Sequence, residues 1–322
     1  MRTRRFGRTG LRVSQLVFGG GFVGGILVFA DDETKLAAVR RALEAGINWI
    51  DTAPSYGQGK SEEALGWILK EVDPEPYLST KVRIDPERLD DIAGQVEASV
   101  HASLARLGRD RVDLLQLHNP LGPGGLELGQ VLDDGGAAEA LEEMRAQGLT
   151  DFIGLTALGD AATVCAALDS SRFDSAQVYY NMINPSAVHG LPDGWSGHDF
   201  SGIVDTCLTH GVAMMAIRVL AAGVLASDVR HGREIVIAEG SGMAAEEPRA
   251  QTVLNALGSR YGTRAQTAVR FVLSNPDISC AVLGLAEIAH LEEALEAEAL
   301  GPLPNEALAI LNRLYDSEFG AM

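Results

Sequence analysis

Cysteine is scarce in this chain. Three stand in 322 residues, Cys165, Cys207 and Cys280, far apart in sequence and among apolar neighbours. That fits buried free thiols and a reducing cytoplasm better than a disulfide framework. Basic residues are few as well: 26 Lys and Arg against 44 Asp and Glu give a formal charge of −18. Such a balance argues against a nucleic-acid backbone or an anionic membrane surface as partner. No apolar run is long enough to span a bilayer, and the opening MRTRR meets a glycine turn without a signal peptide's apolar stretch. What remains, 46% hydrophobic and 22% charged, can bury a large core and is sized for one barrel domain or two smaller units.

What is present is a rhythm. Apolar runs at residues 15–19, 47–51, 77–82, 112–118, 151–156, 175–181, 212–217 and 280–285 read as strands. Amphipathic patterns at 33–45, 61–70, 89–107, 137–146, 161–168, 202–209 and 265–273 alternate with them. Eight strands, seven of them with a clear helix partner, predict an α/β fold, a (β/α)8 TIM barrel, with residues 1–322 as its one domain. A short β-hairpin over 4–13, turning between Gly7 and Gly10, precedes it. A doubly wound open sheet is the rival, but it would want a G-x-G-x-x-G turn after its first strand. Residues 19–25, GGGFVGG, meet no clean helix before Glu33 and read as a loop. Three long insertions, 119–136, 185–200 and 226–248, leave the carboxyl ends of strands, so they would rise on one barrel face and could wall a substrate pocket. In the second, Trp195, His198 and Asp199 are the groups most able to meet a polar ligand, although Trp195 serves equally well as a pin for its own loop.

The stretch 47–66, INWIDTAPSYGQGKSEEALG, organises the rest. Its strand ends on Asp51, its loop carries Tyr56, and Ser61 with Glu62 and Glu63 behind it reads as a helix N-cap. The next strand, YLSTKV, carries Lys81, and the one after it, VDLLQLH, ends on His118. Each has an ordinary explanation: a loop-capping carboxylate, a turn tyrosine, an in-strand ion-pair partner, a satisfied core histidine. Together, three consecutive strands each bring a polar group to the same end, and a lysine in an apolar strand needs a carboxylate nearby. A phenol, ordinarily titrating near ~10, donates protons poorly at neutral pH, and an adjacent ammonium favours its ionised form. A carboxylate would hold that ammonium, and an imidazole would hydrogen-bond the reacting oxygen. The set predicts a proton relay at an oxygen, with neither nucleophile nor metal, suited to hydride transfer between a carbinol and a carbonyl through a cofactor.

These segments resemble the aldo-keto reductases. The likeness runs over most of the chain: GRTGLRVSQLVFGG, INWIDTAPSYGQGKSEEALG, STKV, RVDLLQLHNP, EALEEMRAQGLTDFIGLT, QVYYNMINP and VLGLAEIAHLEEAL, of which the second and fourth are the most specific. The resemblance implies a barrel with a nicotinamide cofactor extended over its mouth, and a tetrad falling on Asp51, Tyr56, Lys81 and His118. In it the tyrosine is the general acid/base, the lysine tunes it, the aspartate pairs with the lysine and the histidine orients the substrate oxygen. It also implies that Gln177 holds the nicotinamide carboxamide and that Thr156 keeps the hydroxyl of a family Ser-Asn pair. Ile217 replaces a stacking tyrosine, and Arg218 beside it is either a cofactor or substrate contact or an ion pair to an acidic loop. Relatives that prefer NADP tend to place basic and hydroxyl residues where this chain reads Gly284-Leu285-Ala286-Glu287, and the family's terminal asparagine is Ala294. A 2′-phosphate wants basic, bidentate donors, so NAD is expected over NADP. With the stretches IRVLAAG and GGAAEALEEMR, this resembles the branch that oxidises the anomeric hydroxyl of an aldose or galactose to a lactone. A sugar or similar small alcohol or aldehyde is the expected substrate. The alternatives are an NADPH-dependent reductase of aldehydes and ketones, and a cofactor-sensing barrel without turnover. Self-association is left open.

Overall fold

Two short strands, β1 (Thr3–Arg5) and β2 (Arg12–Ser14), pair antiparallel at the start of the chain. The computed structural model describes residues 1–230, 232, 234 and 242–320. After the hairpin come β3 (Leu16–Gly19), β4 (Trp49–Asp51), β5 (Tyr77–Val82), β6 (Val112–Leu117), β7 (Thr150–Ala157), β8 (Ser175–Tyr179), β9 (Ala213–Ile217) and β10 (Cys280–Gly284). They lie parallel in chain order, and β10 pairs back onto β3, so the sheet closes as the sequence rhythm predicts. Two strands, β4 and β8, are two residues shorter than expected because side chains take over from the ladder. Before β4, Asn48 bonds the backbone of Ser14 and Arg12. After β8, Asn181 Oδ1 accepts from the amides of Ile183 and Asn184, which turns the chain away.

The helices are α1 (Ile26–Phe29), α2 (Asp32–Glu44), α3 (Lys60–Ile68), α4 (Ile92–Leu107), α5 (Leu128–Leu132), α6 (Ala137–Ala146), α7 (Ala161–Asp169), α8 (Ile203–His210), α9 (Met243–Leu257), α10 (Arg264–Ser274), α11 (Ile288–Leu300) and α12 (Asn305–Asp316). Seven coincide with the amphipathic patterns. The glycine-rich loop after β3 leads directly into α1, a single apolar turn too short to show periodicity. Pro248 does not end the third insertion as expected but lies inside α9 as its sixth residue, where it cannot donate to the Ala244 carbonyl. Residues 231, 233 and 235–241 of that insertion lie outside the described residues.

One apolar cluster lies between barrel and helices; a second fills the barrel's amino-terminal half with Phe6, Val13, Val17, Trp49, Leu114, Met215 and Cys280. The hairpin serves as a plug. Phe6 packs on Trp49 with ring centroids 4.8 Å apart, and Gly7 lies so close to β9 that a Cβ would stand 2.5 Å from the Ala213 amide. Burying two such aromatics contributes on the order of 2–3 kcal/mol each. The interior therefore has an apolar floor, and polar side chains (Asp51, Ser79, Lys81, Gln116, Thr156 and Gln177) are buried above it. The thiols are free, with Cys207 and Cys280 buried and Cys165 half-buried; burial pushes Cys207 up to about 12. Among the described residues no helix is long and apolar enough to cross a membrane.

Candidate active site

Asp51 closes β4 and Lys81 stands near the end of β5, at 2% and 1% exposure. Lys81 Nζ donates to Asp51 Oδ2 at 2.6 Å and to the Thr52 carbonyl at 2.8 Å. Burial alone would lower the lysine pKa, but the negative charge of Asp51 and the contact with Tyr56 outweigh it and hold the pKa above its ordinary value. The ammonium is therefore a permanent charge. The other aspartate oxygen, Oδ1, accepts from Ser79 Oγ at 2.7 Å, Gln177 Nε2 at 2.9 Å and Gln116 Nε2 at 3.1 Å. Sequence reasoning missed Ser79 and Gln116. Their signal was the alternation Ser79, Lys81 and Gln116, His118, the spacing at which a strand presents one face.

Lys81 Nζ lies 4.8 Å from the Tyr56 ring centroid. The His118 ring meets the same phenol edge-on, 5.9 Å between centroids at 88°. Both rings are half-buried at the mouth. The tyrosine loop is held from outside, since Gly57 has φ +63° and a Cβ there would stand 2.6 Å from Val28 of α1. His118 is seated by its neighbour Asn119, whose side chain makes paired 2.8 Å bonds to the backbone of Ile84. Burial, then the charges of Lys81 and Arg83, push His118 down to about 3. It is therefore a neutral hydrogen-bonding group across the physiological range. Because the unfolded chain binds that proton near 6.5, His118 contributes stability that is complete above that pH and is lost as pH falls toward 3. Urea midpoints measured from pH 7 to pH 4 should fall less steeply in His118→Gln than in the parent protein; an equal slope would exclude a neutral native imidazole.

Ser61 is not the expected N-cap. Gly59, with φ 92°, caps α3, and Ser61 and Glu62 face inward. Ser61 Oγ bonds Thr52 Oγ1 at 2.8 Å. Glu62 accepts from Thr80 Oγ1 at 2.6 Å and from Arg106 Nε at 2.7 Å. The segment anchors α3 to the strand ends that carry Asp51 and Lys81, a task that local capping rules do not reveal.

The residues expected at a cofactor sit along the rim. Thr156 and Gln177 are in register on β7 and β8, and Thr156 Oγ1 is buried without a hydrogen-bond partner. A hydroxyl beside an amide suits a carboxamide, which needs both a donor and an acceptor. Gly24 packs backbone to backbone on the end of β10: a Cβ would stand 2.4 Å from the Leu285 amide, and Ile26 N bonds Leu285 O at 3.0 Å. The glycine loop and β10 thus form one rim carrying the exposed Gly284 and Glu287, the latter as N-cap of α11 without a side-chain cap bond. These residues fit a nicotinamide cofactor. Arg218 follows β9 in the left-handed region, φ 58°. Its carbonyl is clamped by Asn181 Nδ2 at 3.0 Å and the Ala221 amide at 2.8 Å. Burial lowers its pKa, opposed by Tyr179, Tyr56 and Glu246, so its surroundings include both the site and the acidic helix α9.

Residues 15–316 match the aldo/keto reductase family. The chain belongs to the aldo/keto reductase family. This aldo/keto reductase is similar to the L-galactose dehydrogenase of Arabidopsis thaliana, 36% identical over 161 residues, 48% of this chain and 48% of that protein. It is also similar to the D-threo-aldose 1-dehydrogenase of a Pseudomonas species, 30% identical over 246 residues, 67% of this chain and 69% of that one. The first match spans about half the relative's length. In fold it is similar to an aldo/keto reductase of Klebsiella pneumoniae solved with NADP and acetate, at TM-score 0.70 and 24% identity over 98% of this chain and 95% of the other. Aldo/keto reductases are oxidoreductases that use nicotinamide cofactors.

In this aldo/keto reductase the second insertion is held by its own polar groups. Trp195 Nε1 reaches the His198 carbonyl at 3.4 Å, and the indole is covered by Arg249, 4.9 Å above its ring. His198 Nε2 bonds the Gly159 carbonyl at 2.8 Å, and Asp199 accepts from the Ser201 amide at 2.8 Å. Packing thus agrees with Trp195 as a loop pin, and His198 has the same kind of work, because each polar tip is already engaged in building the loop.

Proposed function

We propose that this aldo/keto reductase oxidises the anomeric hydroxyl of a free sugar, or a similar small polar alcohol or aldehyde, with NAD. The observation that carries the reading is Lys81 held between Asp51, at 2.6 Å, and the Tyr56 phenol. When bound, the nicotinamide accepts or returns the hydride. Tyr56, as phenolate, takes the hydroxyl proton as the carbonyl forms, and as phenol gives it back in the reverse direction. The Lys81 ammonium faces the phenolate, and Asp51 keeps the ammonium charged and in place. His118, neutral, hydrogen-bonds the substrate oxygen. Gln177 and Thr156 would hold the cofactor's carboxamide. We read residues 1–322 as one domain working in the cytoplasm on a small molecule.

NAD is favoured because the chain enters α11 along the rim with Ala286 and the exposed carboxylate of its N-cap Glu287, where a 2′-phosphate would meet repulsion in place of a basic fork. The names of the two sugar-dehydrogenase relatives support a sugar substrate. The test is kcat/KM for a panel of sugars and carbonyls with each cofactor, followed by the absorbance of the reduced nicotinamide. NAD should exceed NADP by about tenfold, a difference of ~1.4 kcal/mol, and the double variant Ala286→Arg/Glu287→Ser should reverse the order. Higher kcat/KM with NADP in the parent enzyme refutes NAD preference. Turnover of aldehydes but no sugar would favour the reductase reading.

A further inference from the structure

The junction at Asp51 has one donor more than it needs. A carboxylate oxygen offers two lone pairs, yet Oδ1 accepts from Ser79 at 2.7 Å, Gln177 at 2.9 Å and Gln116 at 3.1 Å. Gln116 is itself fully buried, and its Oε1 makes no hydrogen bond. An apolar side chain of the same size would remove that unsatisfied oxygen, so stability does not account for a glutamine here. Room has also been made for it: Gly154 is its neighbour in register on β7, and a Cβ there would stand 3.3 Å from Gln116 Cγ and 2.3 Å from Ser175 Oγ. The amide orientation follows from charge, since turning it over would set Oε1 against the carboxylate.

We propose that Gln116 is a positioning residue of the proton relay, holding Asp51 on Lys81 when the Gln177 amide turns from Asp51 to the cofactor carboxamide. The inference rests on the proposed roles of Asp51, Lys81 and Tyr56. Gln177 has two possible partners, the aspartate and the carboxamide, whereas Gln116 lies beneath the mouth and has one. With Gln116 present, two donors remain on Oδ1 after Gln177 leaves, and Oδ2 stays aimed at the ammonium. Without it, Ser79 is the one remaining donor, and the carboxylate is free to rotate or to draw harder on Lys81. The titratable and charged groups around this junction are Lys81 on β5, Cys280 on β10, Tyr56 and His118 at the mouth, Arg218 after β9, whose charge acts on Tyr56, and Arg83 after β5, whose charge acts on His118.

The test compares Gln116→Leu and Gln116→Met with the parent enzyme. Methionine keeps the length and most of the volume but removes the donor, so a role in packing alone would spare it. Two readouts are expected to move in both variants. The Kd for NAD, measured by protein fluorescence without substrate, should rise about fivefold, because binding now strips Asp51 to one donor. The pH at half-maximal kcat should rise by at least half a unit, with kcat reduced tenfold or more and substrate KM within about threefold. If either readout stays at the parent value in both variants, whatever the change in Tm, the proposal is overturned. Should Gln116→Leu fail to fold, Gln116→Met alone is read by the same criteria. A dead Tyr56→Phe enzyme beside an unaffected Gln116→Leu enzyme sinks this inference alone; an active Tyr56→Phe enzyme sinks the reading beneath it.

Discussion

Tyr56→Phe is expected to lower kcat by ~10³-fold, within the range general acid–base groups contribute, with NAD binding unchanged. The substitution removes one oxygen and keeps the ring that meets His118 edge-on at 5.9 Å, so the fold and the mouth should persist. Lys81 would still stand over the ring, 4.8 Å from its centroid, but with no phenol to exchange a proton. The measurement is turnover at saturating cofactor and substrate, together with the Kd for NAD by fluorescence. A loss smaller than tenfold would mean that the proton leaves by another route.

Lys81→Met should do more damage to stability than any other single change in the site. Methionine fills nearly the same volume, but Asp51 would be left buried and charged, and breaking a buried pair in this way costs about 3–5 kcal/mol. Turnover should fall by at least ~10²-fold for a second reason, since no cation then faces the Tyr56 phenolate. The two effects separate in the double variant Asp51→Asn/Lys81→Met. Neutralising both partners should recover most of the lost stability in urea titrations, while turnover stays lost. Recovery of turnover in the double variant would show that the pair serves folding alone.

The barrel was legible because its strands are buried on both faces and its helices on one, so each type carries its own hydrophobic period. The clustering of Asp51, Tyr56, Lys81 and His118 was legible because charged and aromatic polar side chains at the ends of apolar strands have few structural explanations. Other parts were not. Ser61 reads as a cap by every local rule, yet it is fully buried and bonds Thr52; nothing within a few residues of it announces that β4 lies beneath. Trp195 and His198 look like ligand-binding groups when met in a polar loop, and only Arg249 and the Gly159 carbonyl, distant in sequence, account for them.

By itself the sequence determined the order of strands, the residue types of the proposed relay and the carboxyl ends at which they stand, because these follow from periodicity and from the cost of burying charge. Tertiary structure alone decided that Asp51 answers to Lys81 through one oxygen and to Ser79, Gln116 and Gln177 through the other. Those donors come from β5, β6 and β8, and only closure of the sheet brings them within reach of a single carboxylate.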